Sequence, residues 1–265
     1  MHYEDFWGLK KAPFDNVPDP RFYFPSSRHE EGLHRLIYGV ETRKGAIMLT
    51  GEIGCGKTLL SRTLIHHLAR DRYDLALVAN PSFEALDFLK EILYQLGISQ
   101  NGTKLEMLHA LNERLLENLN KGKDTVLVVD EAQAIYDLAI FEELRLLLNF
   151  QLNDRFLLTL ILLGQPELRS KVEALKQLAQ RIVMRYHLMP FNADEVGDYI
   201  DFRMQAAGAS RVVFTPEAVV AVYEASGGIP RKVNTIADLA LLIGFMDQCR
   251  LVGPEVVKKA FGEAQ

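Results

Sequence analysis

The sequence predicts an α/β fold, a five-stranded parallel sheet covered by helices on both faces, followed by a small helical domain. Three observations predict it. Short, nearly unbroken apolar runs alternate with amphipathic helical patterns as far as Pro190. The first of those runs feeds directly into a glycine-rich loop, Gly51–Thr58. Beyond Pro190 the apolar runs stop and only helical spacing remains.

The elements follow in order. Residues Tyr3–Pro25 carry Phe6, Trp7, Phe14, Phe22, Tyr23 and Phe24 among Pro13, Pro18, Pro20 and Pro25. Prolines exclude a long helix here. The aromatics either pack this arm onto the main domain or line a purine pocket. Ser27–Thr42 has Leu33, Leu36, Ile37 and Val40 at helical spacing. Ala46–Thr50 reads as a buried strand, and Thr58–Arg70 as a helix with Leu60, Leu64, Ile65 and Leu68 on one face. Leu75–Ala79 is a second strand, Ala85–Leu96 a helix closed by Gly97, and Leu105–Leu119 another helix. Thr125–Asp130 is the third strand, Phe141–Leu152 a helix and Leu157–Leu163 the fourth strand. Leu168–Arg181 is mostly helical, and Met184–Met189 is the fifth strand. Four helices follow, at Ala193–Ala207, Pro216–Ala225, Arg231–Asp247 and Pro254–Phe261, with Pro216 and Pro254 suited to first turns. The division expected is an α/β nucleotide-binding domain with its arm over residues 1–190, and a helical lid over 191–265.

Composition narrows the function classes. Apolar residues make up 48% and charged residues 25% of 265, an ordinary globular mix that buries a large core without staples. The two cysteines, Cys55 and Cys249, have no metal-like spacing, so a structural zinc is not expected and a reducing compartment is. Net charge is −5, and no dense Lys/Arg stretch occurs, which speaks against nucleic acid without excluding it. No run approaches the roughly 18 apolar residues of a membrane span. The start, Met1-His2-Tyr3-Glu4-Asp5, lacks the pattern of a signal peptide.

The chemistry lies in a few short stretches. Gly51-Glu52-Ile53-Gly54-Cys55-Gly56-Lys57-Thr58 matches G-x-x-x-x-G-K-[ST] in full, between a strand and a helix that opens with Thr58 and Leu59. Glycines let the loop turn its amides toward phosphate oxygens, and the helix N-terminus adds positive potential. Lys57 reaches β- and γ-phosphates, and the Thr58 hydroxyl can bind magnesium. The third strand ends in Asp130 and Glu131, at the sheet edge that faces the ligand crevice. Asp130 suits the magnesium shell, and Glu131 suits the attacking water. The fourth strand ends in Gly164-Gln165-Pro166-Glu167, where Gln165 either meets the γ-phosphate or bonds a turn. Arg181 and Arg185 bracket the fifth strand's start, as a γ-phosphate arginine from a neighbouring subunit or as surface salt bridges. Arg231 follows Gly227-Gly228-Ile229-Pro230, reporting on nucleotide or merely starting a helix.

Together these stretches resemble the AAA+ class of P-loop ATPases, and more narrowly the general secretion pathway protein A family with its pilus-biogenesis relatives. The resemblance rests on Tyr3–Leu9, Pro13-Phe14, Pro18–Phe22, the phosphate loop, Val128–Gln133, Leu163–Leu168, Gln180–Ile182 and Gly228–Arg231. It implies a three-layer P-loop NTPase sandwich with a helical lid, binding ATP with Mg2+ and hydrolysing it. It implies Asp130 and Glu131 as magnesium and water residues, Gln165 as sensor, Arg181 as finger, Arg231 as lid sensor, and Phe14–Phe24 at the adenine. Homo-oligomers sharing active sites, and a partner in a type II secretion or pilus apparatus, are further implications. Long members of that family continue into a membrane span, so a cytoplasmic module is expected, held at the inner-membrane face if such an anchor follows Gln265. The residues also resemble transposition regulators that assemble on DNA. A nucleotide switch with incidental hydrolysis is the remaining alternative.

Overall fold

The computed structural model describes residues 2–17, 19–99 and 101–264; Pro18, part of the stretch that carries the resemblance, lies outside them. In chain order the elements begin with α1 (Tyr3–Trp7), a 3-10 turn (Pro20–Phe22), α2 (Ser27–Glu41), β1 (Ala46–Gly51), α3 (Lys57–His67) and β2 (Tyr73–Val78). Then come α4 (Ala85–Gln95), α5 (Lys104–Asn120), β3 (Asp124–Val129), a second 3-10 turn (Ala132–Ala134), α6 (Leu138–Leu147) and β4 (Leu158–Gly164). The rest are α7 (Glu167–Ala174), α8 (Lys176–Ala179), β5 (Ile182–Leu188), α9 (Ala193–Ala206), α10 (Pro216–Ser226), α11 (Pro230–Met246) and α12 (Pro254–Glu263).

The chain forms two compact units, one of residues 30–51 and 57–188, the other of residues 1–29, 52–56 and 189–265. The first holds the sheet, in the order β2-β3-β4-β1-β5 with every pairing parallel. β1 and β4 are buried at every position, because a parallel sheet is covered on both faces and its inner strands meet water on neither. Met48 of β1 and Leu158, Leu160 and Leu162 of β4 fill the main core with Phe88, Ile92, Leu111, Phe141 and Leu144 from the covering helices. β5 differs. It is an edge strand whose Val183, Arg185 and His187 are exposed, so its apolar signal is broken and the expected start at Met184 falls two residues late.

Two other boundaries shift for local reasons. α6 starts at Leu138 instead of Phe141 because Asp137 caps it, its carboxylate accepting the Ala139 N–H at 2.9 Å. The segment expected as mostly helical over 168–181 forms two helices that break at Leu175, which leaves helical geometry at φ −103°, ψ 76°. α4 ends as expected, with the Gly97 and Ile98 amides bonded back to Tyr94 and Leu93.

The second unit is helical. α9–α12 close a separate core of Val196, Ile200, Val222, Val233, Ala237 and Leu241. The arm packs on this core through Trp7, Leu9 and Phe14. Trp7 is buried and its indole N–H donates to the Leu241 carbonyl at 2.9 Å. Phe14 meets Phe214 edge-on, and Phe24 meets Phe191 and Tyr199. Arg203 on α9 is buried, with no salt bridge among the described residues; it donates to the carbonyls of Pro13 and Asp15 and lies over the Phe22 ring, 4.3 Å from its centroid. That cage fixes the arm, since a buried guanidinium needs its donors used. No helix among the described residues is long and apolar enough to cross a membrane.

Candidate nucleotide site

In the sheet unit, β1 delivers Gly51 and α3 opens with Lys57 and Thr58. Lys57 is buried, and its ammonium donates to the Gly51 carbonyl at 2.7 Å. Thr58 donates its hydroxyl to Asp130 Oδ2 at 2.8 Å. Asp130 stands one residue past β3, its amide still paired to Val78 of β2, so the sheet itself aims the carboxylate. Burial raises the Asp130 carboxyl above its usual range, and the Glu131 charge adds to the rise. The Thr58 hydroxyl, the Glu131 amide and Lys57 pull the other way.

Glu131 adopts left-handed backbone geometry, φ 51° and ψ 35°. A non-glycine residue occupies this region only where its surroundings hold it there. The holding groups are visible. Gln133 donates Nε2 to Glu131 Oε2 at 2.5 Å, and its Oε1 accepts the Gln165 amide at 2.9 Å. Lys171 of α7 donates to the carbonyls of Gln133 and Ile135, at 2.6 and 2.9 Å, clamping the turn. Because β3 and β4 are neighbours, Gln165 at the end of β4 lies beside the acids, as the sequence predicts. This contact uses the backbone N–H of Gln165, which donates to the Gln133 side chain.

The donor set suits magnesium. A hydroxyl and a carboxylate, both hard oxygens, face each other at 2.8 Å. Among the described residues no group of three or more His, Cys, Asp or Glu could cage an ion. Magnesium fits such a site, since it keeps water and substrate phosphate in its shell and needs only one or two protein ligands.

The loop tip, Glu52–Gly56, belongs to the helical unit. Gly54 and Gly56 have φ of 84° and 97°, values that turn the chain sharply and that L side chains resist. Glu52 and Ile53 are exposed, and Cys55 is buried. His29 reaches the tip from below: its Nε2 lies 2.9 Å from the Cys55 carbonyl, and Nδ1 lies 2.8 Å from the Ser26 hydroxyl. A carbonyl only accepts, so Nε2 carries the proton and Nδ1 accepts from Ser26. Burial lowers the His29 ring from its usual value, keeping it neutral, although the Cys55 bond opposes this. Arg231, exposed at the start of α11, bonds its amide to the Gly54 carbonyl at 3.2 Å.

Arg181 stands elsewhere. It donates to the Leu148 carbonyl at 2.9 Å and Asn149 Oδ1 at 2.6 Å, at the C-terminal end of α6, and makes no salt bridge among the described residues. The next residue, Ile182, pairs with Ala46 at the opposite end of β1 from Gly51. Five residues of strand separate the two ends, roughly 16 Å at a rise of about 3.3 Å per residue. Within one copy, Arg181 is not brought to Lys57 and Asp130. Arg185 is exposed and donates to the Ala179 carbonyl. Leu59 is half-buried on α3.

Sequence reasoning passed over Gln133, Lys171 and His29 as functional residues. Gln133 follows the two acids at a spacing that a 3-10 turn converts into contact, a signal only the turn reveals. His29 and Lys171 lie 26 and 38 residues from their partners, with no local mark of the pairing.

General secretion pathway protein A of Aeromonas hydrophila is 40% identical over 247 residues, covering 92% of this chain but 45% of that protein. The chain thus spans less than half the length of that relative. Among solved structures, the Aeropyrum pernix ORC2 protein superposes with a TM-score of 0.72 at 18% identity, over 97% of this chain and 72% of that one. The Thermotoga maritima RuvB Holliday junction branch migration motor does so at 0.60 and 16%, over 90% and 69%. At such identities the likeness shows a shared fold alone. Residues 40–172, half of the sequence and the part that runs from α2 through the acids to α7, match the AAA domain, and the chain belongs to that family.

Proposed function

We propose that this chain binds ATP with magnesium, hydrolyses it, and assembles into homo-oligomers that assist construction of a type II secretion or pilus apparatus. The observation that carries the nucleotide reading is the Thr58–Asp130 contact at 2.8 Å beside buried Lys57. It joins the phosphate loop to the acid pair through the two groups that would hold the metal. The apparatus is suggested by the name of the Aeromonas relative. In this reading residues 1–190 act as the nucleotide-binding domain and 191–265 as its lid.

Each residue then has a task. Amides of Gly51–Thr58 and the N-terminus of α3 attract the phosphates. Lys57 binds β- and γ-oxygens in place of the Gly51 carbonyl. Thr58 and Asp130 hold magnesium, which when bound neutralises charge on the phosphate oxygens. Glu131 orients the attacking water and takes its proton. Gln165 senses the γ-phosphate from the end of β4, and Arg231 reports on it from α11. Arg181 serves the site of a neighbouring copy.

Titration with ATP and with a non-hydrolysable analogue tests this reading. Lys57→Ala should weaken binding about tenfold or more, the loss of a charge-assisted contact. Glu131→Gln should keep binding, stop turnover and retain ATP. Wild-type affinity in Lys57→Ala would remove the site from this loop. If Glu131→Gln instead left the biological function intact, the chain would be a switch, with hydrolysis incidental.

A further inference from the structure

We propose that Gln133 is the positioning residue of the water-activating carboxylate, setting Glu131 by a side-chain amide clamped between the acid turn and the end of β4. The inference rests on the proposed ATPase role of Glu131. It is carried by two contacts of one side-chain amide and two that fix the backbone of its turn.

The orientation of that amide is forced. The Gln165 backbone offers only a donor, so the oxygen of Gln133 must face it, at 2.9 Å. The nitrogen therefore faces Glu131, whose carboxylate when ionised only accepts, at 2.5 Å. A flipped amide would break both bonds. The backbone is fixed separately, by Lys171 on the Gln133 and Ile135 carbonyls. Space is reserved as well: a Cβ at Gly164 would stand 2.8 Å from Gln133 Oε1. The glycine at the end of β4 thus leaves room for this side chain.

The arrangement has a directional consequence. Glu131 sits in strained left-handed geometry and does not choose its side-chain direction alone. Gln133 chooses it, and the reference point is the amide of Gln165, beside the residue proposed to meet the γ-phosphate. A shift of the β4 end is passed through one rigid amide plane to the carboxylate. Gln133 touches no reacting atom, and acts through Glu131.

The test uses the full chain and ATP. Gln133→Met keeps the length and loses both bonds. Gln133→Asn keeps the amide but falls one methylene short of spanning them, and covers the case in which the Met variant does not fold. Both should lower turnover about 10- to 100-fold, the usual cost of misplacing a reacting group. Affinity for a non-hydrolysable ATP analogue should stay within about twofold. In a Glu131→Gln background, measured by single turnover, neither substitution should cause a further loss, because the group it positions is already gone. Turnover within about twofold of wild type in both variants would overturn the proposal. So would a parallel fall in analogue affinity, or an equal loss in the Glu131→Gln background. If Glu131→Gln itself hydrolysed ATP normally, the reading of Glu131 would fail first, a result distinct from any of these.

Discussion

Asp130 keeps a carboxylate where burial disfavours it, and that has a measurable effect on stability. Its folded pKa is raised, by burial first and by Glu131 second. A raised carboxyl favours folding below its unfolded value, about 3.9, and this contribution is lost as pH climbs through the higher folded value. At neutral pH the ionised group therefore works against the free protein. Asp130→Asn should raise the denaturant midpoint above wild type at neutral pH, with the gap narrowing toward pH 4, while magnesium-dependent ATP binding is lost. Equal midpoints at neutral pH would show that the buried charge costs nothing. At this scale Lys57, Thr58, Asp130 and Glu131 were legible in the sequence, because each lies within one residue of a strand or loop end that the apolar pattern marks. His29 was not. Its partner is a backbone carbonyl, and any residue type supplies one.

Between elements, Asp137 joins two helices with one side chain. Its Oδ1 accepts the Ala139 amide inside α6, and its Oδ2 accepts the Ala85 amide at the first residue of α4, at 2.9 and 3.1 Å. Two first-turn amides depend on this carboxylate. Asp137→Ala should cost about 2 kcal/mol in equilibrium denaturation, the upper end for a lost cap, whereas Asp137→Asn, which keeps one acceptor, should cost less. Most helices could be read from their period and the inner strands from their apolar runs, since buried β1, β3 and β4 carry few polar interruptions. The acid turn, Ala132–Ala134, could not, as three residues are too few for a period. The core that receives the arm's aromatics could not be read either, for a related reason. Aromatic content signals burial, yet Phe14 and Trp7 are equally apolar whichever core receives them.

Across the whole molecule, Arg181 raises the question of assembly. It stands roughly 16 Å of strand away from the phosphate loop of its own copy. If it acts on the γ-phosphate, it acts on another copy, and turnover per molecule should rise with protein concentration. Mixing Arg181→Ala with Glu131→Gln chains should restore part of the activity, since each brings what the other lacks. A transferred arginine is worth a factor of about a thousand or more. Flat specific activity over a hundredfold dilution, about the range in which a weak oligomer dissociates, together with no recovery in any mixture, would leave each copy acting alone.

Trp7 is the chain's sole tryptophan, and its indole is sealed against Leu241. Indole emission, excited apart from the tyrosines, therefore watches the seam between the arm and α11, whereas far-ultraviolet dichroism sees every helix and strand. The indole labels one core only, so comparing the two signals during denaturation tells whether the cores melt together or in succession.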